Sequence, residues 1–392
     1  MALTVVRGQA RRRWLVVGAV ALALVAAPGV VAAIPVHAGA VPVADLVARI
    51  RASAGQAFEG YAVSTGTAGL PSLPQLSEVS DLLDGDTSMR VWYASPHHWR
   101  VDVIGNGTER DTYQLPSAQV TVNTETGPAT FVLQDRELTW DYGRSLLTEV
   151  GGTAPVRLPR GADLVPSDLG RRLLAAAEGE RYSALPAKRV AGIAAAGVRI
   201  VPANPHTTVG HVDIWADPRT GLPVEVSVTG KGATDPILVT RFLDLRLGTP
   251  PAAVLAPPEP REGIGYTVTD ADDLLQSLSG QAEGIGLPFT LAGFPLTSLD
   301  RNVATYGTGL TRFVLIQIPR TIALDTMNRI RRGGGIPQRF PDGDGVLVAT
   351  PLLTVLASDA HPVRRNYLLA GLVDSSVLKQ AGAELSQWGS VR

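Results

Sequence analysis

Few side chains in this sequence have the types and spacing that chemistry needs. Cysteine is absent, which removes thiolate catalysis, disulfides, cysteine zinc sites and lipoprotein acylation together. His97-His98 is an adjacent histidine pair after Pro96. Neighbours on a strand point to opposite faces, so it reads as a turn and not a zinc site. His206, His211 and His361 are scattered without a motif. Gly143-Arg144-Ser145-Leu146-Leu147 lacks the second glycine of a nucleophile elbow. Asp342-Gly343-Asp344-Gly345 begins like a calcium loop, but its twelfth position is Leu353 where a glutamate is required, which leaves a polar turn. Gly333-Gly334-Gly335 follow a helical pattern, whereas phosphate loops place glycines before the helix. Gly307-Thr308-Gly309 is only a fragment of a dinucleotide fingerprint. Asn106-Gly107-Thr108 is a formal glycosylation sequon. The residues therefore point to a protein without catalytic centre, metal or cofactor. A net charge of −1 with 18% charged residues also argues against a nucleic-acid surface.

The clearest signal is at the start. Arg7, Arg11, Arg12 and Arg13 precede an uncharged run from Trp14 to Val36, the layout of an export signal with its basic end in the cytoplasm. Its strongest part, Trp14 to Ala27, would span about 21 Å as a helix, short of a ~30 Å hydrocarbon core. Counted to Val36 the run is long enough to cross. Small residues follow at Val31-Ala32-Ala33, Val36-His37-Ala38 and Ala38-Gly39-Ala40, so a cleaved signal and an uncleaved anchor both stay open. Arg11-Arg12-Arg13-Trp14-Leu15 loosely matches a twin-arginine signal, with an ordinary basic segment the simpler reading. Either way residues 1–40 are an export element and the rest works on the outer side of the cytoplasmic membrane, released or held by residues 14–36.

The elements that follow have two periods. Pro42 opens a helix with Val43, Leu46, Val47, Ile50, Ala54 and Ala57 on one face. From Phe58 the period is two. Met89, Val91 and Tyr93 oppose Arg90 and Trp92; Trp99, Val101 and Val103 alternate with Arg100 and Asp102. Val120–Val122, Thr130–Leu133 and Glu137–Tyr142 continue an antiparallel meander. The pattern gives a second helix over Ser167–Glu178, with Ser167 as N-cap and Gly179 as its stop. Strands resume over Gly197–Val201, His211–Ala216, Pro223–Thr229 and Ile237–Leu247, with a tight turn at Asp217–Pro223 built on Pro218 and Gly221. A proline-rich stretch near residues 250–260 reads as a stiff linker. Beyond it come a helix over Asp270–Leu278, a strand over Leu310–Ile318, a helix over Thr321–Arg332, strands over Gly345–Leu356 and Asn366–Val373, and a closing helix over Asp374–Leu385. The expected domains are residues 41–256 and 266–392, joined by 257–265.

Several stretches carry a family resemblance. "HVDIWADPRTGLPVEVSV" followed by "DPILVTRFLDLRLG", with Trp215, Asp217, Thr220, Gly221, Leu222 and Pro223 at the hairpin, resembles the LolA fold of lipoprotein carriers. The nearest form is that of RseB/MucB-type periplasmic regulators of extracytoplasmic sigma factors. "YASPHHWRVDVIG" matches an early hairpin, and "GLPFTLAGF", "VATYGTGLTRFVLIQIP" and "RNYLLAGLVDSSVLKQAGAEL" resemble the small RseB C-terminal domain. "GLPSLPQLSEVSDLLDGD" is longer than that hairpin expects, and reads as an exposed loop or a lid.

The resemblance implies an α+β fold: a curved antiparallel sheet, an incomplete LolA-like barrel wrapping helices, plus a smaller α+β C-terminal domain. It implies an apolar cavity for a lipid or a lipoprotein's acyl chain, serving a carrier or sensor. The residues nominated to line it are Met89, Val91, Tyr93, Val101, Val103, Leu138 and Trp140. The alternative is a regulatory protein whose C-terminal domain binds an anti-sigma factor or other membrane partner. Trp92 and Trp215 are either partner contacts or covered by other elements.

Overall fold

The computed structural model describes residues 41–69, 81–105, 109–124, 127–142, 147–149, 160–257, 266–270, 286–300, 303–360 and 365–388. The basic and apolar start, the sequon, Gly143 to Leu146, His361 and most of the expected Asp270–Leu278 helix lie outside these residues. Among the described residues no helix is long and apolar enough to cross a membrane.

Alternation of period two becomes one broad sheet. Its strands are β1 (Phe58–Gly66), β2 (Asp86–Ser95), β3 (His98–Ile104), β4 (Glu109–Thr124), β5 (Gly127–Tyr142), β6 (Leu147–Glu149), β7 (Arg181–Val190), β8 (Ile193–Val201), β9 (Val209–Ala216), β10 (Pro223–Gly230), β11 (Pro236–Leu247) and β12 (Tyr266–Asp270). The order is β6-β12-β5-β4-β3-β2-β1-β11-β10-β9-β8-β7. It has two ends, so the sheet is open, and every pairing except β12 with β6 is antiparallel. The separate Val120, Thr130 and Glu137 segments prove to be parts of two 16-residue strands, β4 and β5. Pro116 hid this continuity, because it cannot donate to a ladder and interrupts the pattern. β7, which the sequence reading passed over, is an edge strand whose register shifts between Leu185 and Lys188, around Pro186.

Helix α1 (Val43–Ala52) buries Leu46, Val47 and Ile50 against this sheet, in the core that holds Phe58, Met89 and Val91. Helix α2 (Pro166–Ala176) lies on β10. A Cβ on Gly170 would come within 2.8 Å of Pro223 Cβ, so only glycine permits that approach. The cap of α2 differs from expectation. Val165 occupies the N-cap with Pro166 in the first turn, and the Ser167 hydroxyl makes no capping bond. Proline at that position already supplies the required φ and needs no donor partner. The Asp217–Pro223 turn forms as read: Gly221 has φ +74°, its N–H donates to Asp217 O at 2.8 Å, and Arg49 of α1 donates to Pro218 O.

A short helix α3 (Ala252–Leu255) sits in the proline-rich stretch, with Leu255 buried. A second sheet follows, built of β13 (Thr290–Leu291), β14 (Phe294–Asp300), β15 (Val303–Tyr306), β16 (Phe313–Gln317), β17 (Ile336–Phe340), β18 (Gly343–Ala349), β19 (Thr354–Ala360) and β20 (Arg365–Gly371). The expected Gly345–Leu356 strand is a hairpin, turned at Thr350–Leu353, where Thr350 N–H donates to Leu353 O at 2.9 Å. Helix α5 (Ser375–Gln387) packs Val377, Leu378, Ala381 and Leu385 with Leu315, Leu356 and Leu369. Helix α4 (Arg320–Arg332) packs Ala323, Met327 and Ile330 with Ile316, Val346, Ala357 and Leu368, which alternate with the α5 set. The second sheet is thus covered on both faces. The architecture is α+β: a broad open sheet with α1 and α2 on one face, and a smaller sheet layered between two helices.

Turns of the smaller sheet plug into the larger core. Leu310 and Leu352 belong to it. Thr207 Oγ1 lies 2.6 Å from Leu310 O, and Thr208 Oγ1 donates to Leu352 O at 2.5 Å. Both threonines are buried, so these bonds are shielded from water.

Two glycines test how backbone sign and space combine. Gly179, φ +83°, has open space where a Cβ would go; at Gly221 that Cβ would fall 2.2 Å from Arg49 O. Gly179→Ala is expected to cost about 1 kcal/mol, and Gly221→Ala about 3 kcal/mol because the helix must also move. Urea unfolding of the two variants checks the difference.

Candidate functional site

The register of β2 to β5 sorts the sheet into two faces. Paired residues share a face, so Val91–Val101–Thr112–Thr139 is one row and Tyr93–Trp99–Gln114–Glu137 the next. Both rows face the short 3-10 turn Gly161–Leu164 and the start of α2, and a cleft of about 270 Å³ lies between. Its floor is Val91, Tyr93, Trp99 and Val101; Ala162 and Val165 form its roof. Ser167, Asp168 and Arg172 enter from α2, and Glu137 and Gln114 from the sheet.

Three of the nominated residues, Val91, Tyr93 and Val101, therefore line one cleft. Met89 and Val103 pair on the same face, but Met89 is fully buried in the core and Val103 lies beneath Gly161, 2.3 Å from where a Cβ there would sit. Leu138 and Trp140 are not brought together with them. The register pairs Leu138 with Tyr113 and Trp140 with Asp111, rows that belong to the other face; the side chains of Leu138 and Trp140 lie outside the described residues. The count of two was kept within each strand but not carried across the β4 hairpin. The cleft is also more polar than an apolar cavity, since Gln114, Glu137, Asp163, Ser167, Asp168 and Arg172 are six of its thirteen lining residues.

Ion pairs tie those walls together. Arg160 reaches Glu137 of β5, and its backbone N–H donates to Asp163 at 2.9 Å. Arg172 of α2 bridges Asp163 and Asp168, and Arg171 stands 3.7 Å from Asp168. Burial disfavours the Arg172 charge, but Asp163 and Asp168 outweigh it and hold the guanidinium above its ordinary pKa. Tyr93 stacks on Phe58 with ring centroids 5.2 Å apart, donates to Ala54 O at 2.7 Å, and carries Arg171 5.6 Å above its ring. Burial raises the Tyr93 pKa; Arg171 opposes the shift and Asp168 reinforces it. Sequence reasoning missed this wall. Its signal was the Asp168/Arg172 spacing of four behind Pro166, which marks a helix face but not what that face meets.

The opposite face carries a second charged group. Arg100 donates to both oxygens of Asp102, at 2.5 and 2.8 Å, and to Asp111 at 2.9 Å. Its guanidinium lies 5.1 Å from the ring centroids of both Trp92 and Tyr113, and its third nitrogen is 3.4 Å from Val254 O of α3. Trp92 is thus covered by a cation, as is Trp215, over which Lys188 Nζ sits at 3.2 Å. Asp102, Glu109 and Asp111 bring carboxylate oxygens within 4.8 Å of one another, a set the sequence did not disclose. Arg100 already occupies both oxygens of Asp102 and one of Asp111. His97 is exposed in the Pro96 turn, and Gly333–Gly335 leave α4 as read.

No family model matches the chain, and no curated protein matches it. Among solved structures, MucB in complex with periplasmic MucA is similar at 14% identity over 87% of this chain and 98% of that one, TM-score 0.45. The MucA/MucB complex of Pseudomonas aeruginosa is similar at 15% over 87% and 96%, TM-score 0.44. The LolA superfamily protein NE2245 from Nitrosomonas europaea is similar at 8% over 56% and 99%, TM-score 0.22. These likenesses say nothing of ligand or partner here.

Asp111 gives a pH prediction. Burial, then the neighbouring Asp102 charge, push its pKa up to about 7 against the pull of Arg100, with Glu109 adding to the rise. Between the ordinary carboxyl pKa and about 7 the folded chain binds a proton that the unfolded chain has released. Stability contributed by this proton is complete at acid pH and is lost as pH rises through about 7. Asp111→Asn is expected to flatten that part of the stability curve, seen by urea titration at pH 5 and pH 8; an unchanged slope contradicts it.

Proposed function

We propose that the chain is an exported, non-catalytic binding protein whose cleft between β2–β5 and α2 takes an acyl chain of a lipid or acylated protein, as carrier or sensor. The observation that carries this reading is the cleft itself: an apolar floor of Val91, Trp99 and Val101 roofed by Ala162 and Val165, with polar groups entering from α2 and from the sheet. Ligand sites combine an apolar lining with orienting polar groups; here six of the thirteen lining residues are polar. At about 270 Å³ the cleft is just below the ~300 Å³ lower end for such sites, so it suits a single chain end. Each methylene buried there contributes about 0.8 kcal/mol.

A second reading has its own observation. Among the described residues, five of the six large exposed apolar side chains belong to the second-sheet region: Phe289 at 86%, Ile336 at 60%, and Leu299, Leu324 and Trp388. They do not form one patch, since α4 with Leu324 and α5 followed by Trp388 cover opposite faces of the sheet, but each is a candidate partner contact. This favours a C-terminal domain, residues 266–392, that engages the extracytoplasmic part of a membrane partner such as an anti-sigma factor. The readings are compatible, because a sensor can use ligand binding as its input.

The full chain, purified from a bacterial host, is expected to release lipid on solvent extraction and to take up the neutral fluorescent probe N-phenyl-1-naphthylamine. Val101→Phe, which fills the floor, should weaken uptake about tenfold, equal to ~1.4 kcal/mol, with its melting temperature as the fold control. No lipid and no uptake would contradict the carrier reading. Cross-linking of the full chain in envelopes should capture a membrane protein through the second-sheet region; capture unaffected by Phe289→Ser with Ile336→Ser would count against the regulatory one.

A further inference from the structure

The face of the broad sheet opposite the cleft buries two acids on one base. The register sets Asp102 of β3 directly across from Asp111 of β4, and both are 2% exposed. Arg100 donates to both oxygens of Asp102 and to Oδ2 of Asp111. Asp111 Oδ1 is buried and has no hydrogen-bond partner. The groups around Asp111 do not balance the second acid. Glu109 is exposed and negative, and the Tyr113 hydroxyl, 3.4 Å from Asp111 Oδ2, is neutral. Trp140 is the uncharged register neighbour on β5. Arg90 of β2 pairs in register with Asp102 but is exposed, where water and salt screen it. With both acids ionised the buried trio has one negative charge in excess; with one proton between them it is neutral. Like charges at one buried site favour the neutral form.

The same trio fastens a strap. β11 pairs with β1 and β12 with β5, so the chain between them crosses β1 to β4. On this face α3 lies against β3, and Arg100 Nη1 is 3.4 Å from Val254 O. The trio's flanks, Trp92 and Tyr113, belong to paired strands and move only if the ladder breaks. α3 is a lighter cover: four residues without a side-chain cap, burying Leu255, and too short to be stable alone. An excess buried charge is costly, and lifting α3 is the least disruptive way to admit water to it. We infer that Arg100, Asp102 and Asp111 form a pH-sensitive buckle: the strap at α3 is closed when the two acids share a proton and loosens when both are ionised. Burial, then the Asp102 charge, push Asp111 up to about 7, so the change falls near neutral pH. A proton held by the closed form and released by the open one makes closure complete at acid pH and weaker as pH rises through about 7. The buckle acts on the other side of the sheet from the cleft and does not depend on what the cleft binds.

Hydrogen exchange of the full chain at pH 6 and pH 8, each referred to intrinsic exchange at that pH, tests the buckle without a variant. The Val254 amide is the reporter, since it donates to Pro251 O at 3.1 Å. Its protection should fall about tenfold between the two pH values. That is the linkage expected of a carboxyl titrating at about 7 in the closed form and about 4 in the open one. Val254 should also exchange faster than the amides of β19 at both pH values, which marks a local opening. Asp111→Asn keeps an oxygen for Arg100 but cannot ionise, so its strap should hold at pH 8 the protection that the wild type shows at pH 6. Equal wild-type protection at the two pH values would overturn the buckle. So would Val254 and β19 exchanging at one rate, which leaves only global unfolding, or an Asp111→Asn chain that loses as much protection as the wild type.

Discussion

The position of α2 on the broad sheet is the constraint on which the rest depends. Gly170 lets the helix touch Pro223 and Val226 of β10 at distances no side chain permits. That contact fixes where the first turn of α2 ends up, over β2 to β5 and not in solvent. Ser167, Asp168 and Arg172 become cleft residues only because of it. At the other end of the helix, Gly309 fits against Ala176 O, where a Cβ would be 2.6 Å away. One helix therefore meets the cleft with its start and a turn of the smaller sheet with its end.

The cleft wall is then stitched by charge. Arg160 joins β5 to the turn before α2, and Arg172 joins that turn to the helix. Pairs of this kind contribute little when exposed and more when several share partners in a partly buried place. Here they join the sheet wall of the cleft to its helix wall. The opposite face uses the same device at Arg100, held between two rings and two carboxylates, to dock the short helix α3 beneath the sheet.

Much of the fold was legible in the sequence because burial imposes a period. β2, β3, β9, β10, β11, α1, α4 and α5 sit within a few residues of their expected spans. Four of the misses lie at prolines. Pro116 split β4, Pro186 hid β7, Pro351 concealed the turn between β18 and β19, and Pro166 displaced Ser167 from the cap. The candidate site was legible only in part. Alternation put Val91, Tyr93 and Val101 on one face, and the register keeps them there. It could not carry the count through the β4 hairpin to Leu138 and Trp140, since register across a hairpin is set by pairing and not by local pattern. Nor does a sequence say which loop roofs a sheet: Gly161 to Val165 have no periodic signal, yet they close the cleft.

In the proposed function the start of α2 is a wall of a ligand site. Hydrogen exchange of the full chain, with and without saturating methyl decanoate, tests it most directly. The account predicts slowed exchange over Pro166–Ala176 and over β2 and β3, with the second sheet's strands unchanged. Exchange at α2 and β2 that is identical in both conditions, despite measured binding, would contradict it.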